Sequence, residues 1–140
     1  MLEKKTQTDL EDAIERSGGY VIRQVAGASR SRGLPDLTAC LDGEFYAFEV
    51  KREKGTRETT YAQIDQLRQI AHSGGIACYW CTSASIPLTF PENCRDIFYE
   101  TPKSMDDKQK LLKTVKDLLT EACVIRVYED KFRVYYSEDN

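Results

Sequence analysis

Histidine is almost absent from this chain: His72 is the only one among 140 residues. That excludes the usual histidine-based nuclease and protease mechanisms, which need more than one imidazole. No apolar run approaches the roughly 20 residues of a membrane-spanning helix, so no membrane partner is expected. The opening Met1-Leu2-Glu3-Lys4-Lys5 is polar, and no signal peptide is expected from it. A glycine-rich phosphate loop is missing, which argues against a nucleotide cofactor. An excess of basic residues is missing too. Twenty Lys and Arg stand against 23 Asp and Glu, a net charge of −3, so a nucleic-acid partner would need a local basic patch. Repeats and low-complexity segments are also absent.

Five cysteines, an odd number, without an export signal point to a reducing, cytoplasmic setting. A phage or viral protein acting in its host cell fits the same observation. Cys78-Tyr79-Trp80-Cys81 has redox spacing, but on a strand these two side chains face opposite ways. A thioredoxin-like motif sits at a helix start instead. The cysteines are therefore expected to act as small buried hydrophobes.

What is present is ordinary for one globular domain: 41% hydrophobic and 31% charged residues. A single domain over 1–140 is expected, with a core over about 9–81 and an extension over about 82–140. Thr8 or Asp9 could cap a first helix over about 9–17, with Leu10, Ala13 and Ile14 buried and Gly18-Gly19 ending it. Residues 20–25 read as a strand. Residues 26–33 form a basic loop of small residues. The spacing predicts a helix over 60–71 with Ile64, Leu67, Ile70 and Ala71 inward. His72 then lies at the helix end, where the dipole favours it.

Residues 76–81 are continuously apolar, as in a strand buried on both faces. Further on, Ile97-Phe98-Tyr99 suggests a short strand. Ser104 and Asp107 open a helix to about 122, striped by Leu111, Leu112, Val115, Leu118, Leu119 and Ala122. Residues 124–128 and 132–136 read as a hairpin that packs on the core or forms a dimer surface. The order of elements permits a parallel crossover. The expected fold class is therefore α/β, a mixed central sheet flanked by helices, with a C-terminal helix and β-hairpin.

The centre of interest is Pro35-Asp36 followed by Glu49-Val50-Lys51. Residues 37–41 and 44–51 are strand-like, and Asp42-Gly43 is a strong signal for a type I′ hairpin turn. A two-residue turn there sets Leu41 opposite Glu44, 38 opposite 47, and Asp36 opposite Glu49. Glu49 and Lys51 then share a face. A three-residue loop would slip the register and send Glu49 to the other side. Opposed carboxylates repel in a plain sheet, and a divalent cation would relieve that repulsion. Mg2+ is a hard ion that takes oxygen ligands and keeps several waters. Arg23, Arg30, Arg32, Lys51, Arg52, Lys54 and Arg57 lie near this site in sequence. They supply the local basic patch, although Lys54 and Arg57 taken alone read better as a solvated loop.

Gly33-Leu34-Pro35-Asp36, Glu49-Val50-Lys51 and the helical Gln63 together resemble the PD-(D/E)XK nuclease superfamily, most closely its VRR-NUC branch. Tyr20 to Gly27 also resembles the segment before the active site in archaeal-type Holliday junction resolvases. The resemblance spans roughly residues 9–81 and implies a restriction-endonuclease-like core. It implies Asp36 and Glu49 as metal ligands with the Val50 carbonyl as a third, Mg2+ as the cofactor, and Mn2+ as a substitute. By the same resemblance, Lys51 orients the attacking water or stabilises charge on the phosphate, and Gln63 supports Lys51 or the substrate. An acidic residue on the first helix joins such sites. Glu11 is the candidate, with Glu15 and Asp9 as rivals. Ser29 is the counterpart of a loop serine in the resolvases. With it, Arg23, Arg30, Arg32, Arg52, Lys54 and Arg57 form the expected DNA-binding set.

Gln63 has a local reading as well, since Thr60-x-x-Gln63 is a capping box. The functional expectation is a Mg2+-dependent endonuclease selective for branched DNA such as four-way junctions, working as a homodimer. The alternatives are a general phage or mobile-element nuclease or nickase, and a DNA-binding module that does not cut.

Overall fold

A computed structural model describes residues 2–24, 33–52, 58–82, 90 and 93–136. Its first helix, α1 (Leu2–Arg16), begins a full turn or more before the expected start. The reason is a stripe that begins earlier: Thr6, Leu10 and Ile14 are all buried at i, i+4 spacing. A Lys5–Asp9 ion pair at 2.8 Å braces the exposed side. Thr8 is not a cap, because its hydroxyl donates to the Lys4 carbonyl from inside the helix. Gly18 then ends the helix at a φ of 88°.

Strand β1 (Tyr20–Arg23) pairs antiparallel with β2 (Leu37–Leu41), and β2 pairs antiparallel with β3 (Glu44–Val50). The β2–β3 register is the one read from the turn: Leu41 faces Glu44, Thr38 faces Ala47 and Leu37 faces Phe48. Asp42 and Gly43 both have positive φ, 51° and 78°, as a type I′ turn requires. The helix α2 (Tyr61–His72) leads to β4 (Ile76–Trp80), which pairs parallel with β3 and sets Glu49 beside Tyr79.

The extension completes the same sheet. Strand β5 (Cys94–Phe98), helix α3 (Met105–Leu118) and the hairpin β6 (Val124–Val127) and β7 (Lys131–Tyr135) follow in sequence. The spatial order is β1-β2-β3-β4-β6-β7-β5, with β3–β4 the parallel pair. Helix α3 stops at Leu118 rather than near 122. Thr120 and Glu121 donate to carbonyls three residues back, which tightens the chain into a turn. Leu119 and Ala122 stay buried through that turn.

Alternation along β3 divides the core. Phe48 and Val50 pack with Leu10 and Ile14 of α1, Cys78 and Trp80. Ala47 packs on the other face with Ile64 and Leu67 of α2, Val115 of α3, and Tyr79. Glu49 and Lys51 are in phase with Ala47, so they project toward the α2 face. Cys78 and Cys81 are buried as expected, but Cys40 and Cys94 are exposed. Cys40 alternates with the buried Ala39 and Leu41 of β2, so it faces away from the side that packs on α1, and Cys94 begins the edge strand β5. Burial pushes the Cys78 thiol up to about 12, so it behaves as a hydrophobe.

Candidate active site

Glu49 and Val50 end β3 where it runs beside β4, Lys51 follows directly, and the N-terminus of α2 closes over them. Lys51 donates its backbone N–H to the Trp80 carbonyl, which extends the parallel pairing by one step. Glu49 and Lys51 are buried at 4% and 7% exposure, an unusual state for charged groups unless they are paired. Lys51 Nζ lies 3.7 Å from Glu49 Oε1. It also donates to Gln63 Oε1 at 3.2 Å and to the Glu58 carbonyl.

Gln63 links these charges. Its Nε2 donates to Glu49 Oε1 at 3.0 Å. Its Oε1 accepts from Lys51, from Thr59 Oγ1 at 3.0 Å and from the Thr60 N–H at 3.2 Å. The Thr60 side chain accepts in return from the Gln63 N–H. The capping box and the site contact are therefore one arrangement rather than rivals, because one amide has a donor end and an acceptor end.

Asp36 arrives from the other strand. Its backbone carbonyl accepts from the Gln24 N–H, and its Oδ2 accepts from the Val50 N–H at 2.8 Å. This places a carboxylate against the residue that follows Glu49. Gly33 governs the approach: at a φ of 76°, a Cβ here would lie 2.5 Å from the Ala62 carbonyl. Only glycine lets the chain pass so close to the first turn of α2.

Glu11 and Arg23 meet each other. Arg23 donates from Nε and Nη2 to the two Glu11 carboxylate oxygens at 2.7 and 2.8 Å, a bidentate pair. The Glu11 hydrogen bond chiefly raises the Arg23 pKa, and the nearby Asp36 charge adds to it. Glu11 thus makes its contact with Arg23, not with Lys51 or Gln63. Arg52 is exposed next to the site. Ser29, Arg30, Arg32, Lys54 and Arg57 lie outside the described residues.

The donor set bears on the expected ion. Among the described residues, no group of three or more His, Cys, Asp or Glu side chains comes together for a metal. That does not match the closed cage of a structural zinc site. The donors that the resemblance implies, two carboxylates and one backbone carbonyl, are all hard oxygens, the ligand type suited to an ion such as Mg2+.

Two side chains at the site were not legible beforehand. Tyr79 is fully buried, and its hydroxyl lies 2.9 Å from Thr59 Oγ1. Burial raises the Tyr79 pKa well above its ordinary value, so the phenol stays protonated. Thr59 falls one residue before the helix expected over 60–71, and Tyr79 lies inside the continuously apolar run 76–81. The parallel register that joins them to Glu49 leaves no local trace in sequence.

The family model for the archaeal Holliday junction resolvase (Hjc) matches residues 4–125. Among solved structures, a VRR_NUC domain is 26% identical and covers 55% of this chain and 81% of its own, with a TM-score of 0.46. The Holliday junction resolvase Hjc of the archaeal hyperthermophile Archaeoglobus fulgidus is 27% identical and covers 56% of this chain and 67% of its own, with a TM-score of 0.45. No curated protein matches the sequence.

Proposed function

The chain belongs to the archaeal Holliday junction resolvase family, and we propose that it is a Mg2+-dependent endonuclease that cuts branched DNA as a homodimer. Family membership makes it a nuclease, a phosphodiester hydrolase. The observation that carries the finer reading is the buried Glu49–Lys51–Gln63 cluster at the end of β3, with the Asp36 carboxylate against Val50. Burying both charges is costly, and they sit at the end of an interior strand whose neighbouring positions Ala47, Phe48 and Val50 are fully buried and apolar.

In this reading Asp36, Glu49 and the Val50 carbonyl hold the ion. When bound, it acidifies a water and neutralises charge building on the phosphate. Lys51 supplies a fixed positive charge at the same place and orients the attacking water. Gln63 holds Glu49 and Lys51 in register, so neither has to reorganise as charge develops. Two strands of a four-way junction are cut symmetrically by two sites related by a two-fold axis, which a homodimer supplies.

The test uses a labelled four-way junction and a linear duplex of matching sequence, with Mg2+ or with EDTA, beside an Asp36→Ala variant. Cleavage of the junction only with Mg2+, lost in the variant, is expected. Cutting in EDTA or by the variant overturns the metal site. Equal cutting of both substrates leaves a general nuclease. Sedimentation of the protein, alone and with the junction, checks the dimer.

A further inference from the structure

We propose that Thr59 and Tyr79 are positioning residues that pin the Gln63 amide in the orientation Lys51 and the Thr60 N–H impose, with its NH2 on Glu49; the inference rests on the nuclease reading for its catalytic consequence. The argument follows from proton supply. The Lys51 ammonium and the Thr60 N–H can only donate, and both point at one atom of Gln63, at 3.2 Å each. That atom must be the oxygen. Thr59 Oγ1, 3.0 Å from the same oxygen, must therefore donate its single proton to it. With that proton committed, the Thr59 oxygen is the acceptor for Tyr79 at 2.9 Å, and the Tyr79 hydroxyl is the donor. Donation runs one way, from Tyr79 to Thr59 to Gln63 Oε1, and the opposite end of the amide donates to Glu49 at 3.0 Å.

The two residues come from different elements. Tyr79 is fixed in β4 as the parallel neighbour of Glu49, and Thr59 precedes the cap of α2. The chain of donors ties the helix to the strand pair and adds to the hold that Lys51 and the Thr60 N–H already have on the Gln63 oxygen. A reversed amide would set an oxygen against Glu49 and an NH2 against Lys51, two repulsive contacts in a buried place. Thr59 and Tyr79 are both buried. They act through Gln63.

The experiment compares Thr59→Val, Thr59→Ser and Tyr79→Phe with the unsubstituted protein. Single-turnover cleavage, DNA affinity in EDTA and NMR of the Gln63 side-chain amide protons are read on each. Loss of a residue that orients another group in a metal site costs about 10- to 100-fold in activity. Thr59→Val is expected to lose cleavage in that range with DNA affinity retained, and its Gln63 amide protons should exchange faster. Thr59→Ser keeps the donor and should restore both. Tyr79→Phe leaves the Thr59 donor in place and should cost less than Thr59→Val. On a Gln63→Ala background, Thr59→Val should add no further loss, because the group it acts through is gone.

A full additional loss on that background, or unchanged amide exchange in Thr59→Val, overturns the proposal. So does a larger effect from Tyr79→Phe than from Thr59→Val. If the unsubstituted protein cuts no DNA with Mg2+, the nuclease reading fails by itself. The amide exchange then still decides whether Thr59 and Tyr79 hold Gln63 in place.

Discussion

Replacing Lys51 by Met should destabilise the metal-free protein by about 4 kcal/mol, a range typical for breaking a buried ion pair. The structure gives the terms. The two side chains of the pair retain 8% and 5% of their accessible surface, and the charges stand 3.7 Å apart. At an effective dielectric of roughly 20, that separation corresponds to about 4.5 kcal/mol of attraction. Methionine keeps most of the apolar stem, so little packing is lost. The Glu49 charge then sits buried without the ammonium, and Gln63 Oε1 and the Glu58 carbonyl lose a donor.

Urea unfolding in EDTA measures the cost. With a slope near ~2 kcal/mol per molar, the midpoint should fall by about 2 M. Mg2+ should then return much of the loss, because a cation bound at Glu49 restores the missing positive charge. Saturation at a hundredfold over Kd is worth about 2.7 kcal/mol. Cleavage should be abolished even where the variant is fully folded. A destabilisation below about 1 kcal/mol in EDTA would refute the reasoning, since Glu49 would then not depend on Lys51 for its charge balance. Stabilisation by Mg2+ of neither protein would remove the metal site.

Gly33→Ala should cost more than about 1 kcal/mol, because the residue has positive φ and its Cβ would meet the backbone of α2; thermal melting checks this, and cleavage should fall further as Asp36 is displaced. A thiol reagent added to native protein should modify the exposed Cys40 and Cys94 quickly, while the buried Cys78 and Cys81 react only on unfolding. The Arg133 guanidinium, 2.8 Å from Asp96, holds its carboxyl down to about 2. The folded value lies below the unfolded value of about 3.9, so this pair contributes stability above pH 4 and loses it as pH falls toward 2. Asp96→Asn should flatten that part of the acid limb of a melting-temperature profile, and an unchanged limb would count against the pair.

Much of the site was legible because its parts are close in sequence. Asp42-Gly43 demands a particular turn, and the turn sets the pairs of β2 and β3 from Leu41–Glu44 to Leu37–Phe48, just short of Asp36 and Glu49. Helix α2 was legible for the same reason, since its cap and its stripe are local. Helix α1 was misjudged at its start because Thr6, a polar residue, begins the buried stripe. Burial of a threonine depends on what packs against it, which periodicity cannot show.

The sequence by itself determined the hairpin register, the shared face of Glu49 and Lys51, the cap at Thr60 and the hydrophobic stripes of the helices. Each follows from backbone geometry over a few residues. Tertiary structure alone decided that β4 lies parallel to β3 with Tyr79 beside Glu49, that the extension pairs with β4 through β6, and that Glu11 takes Arg23 as its partner. It also decided that Gln63 caps its helix and holds two buried charges at once. These outcomes depend on which distant surfaces exclude water together and which buried polar groups find partners there. That balance belongs to the packed chain as a whole.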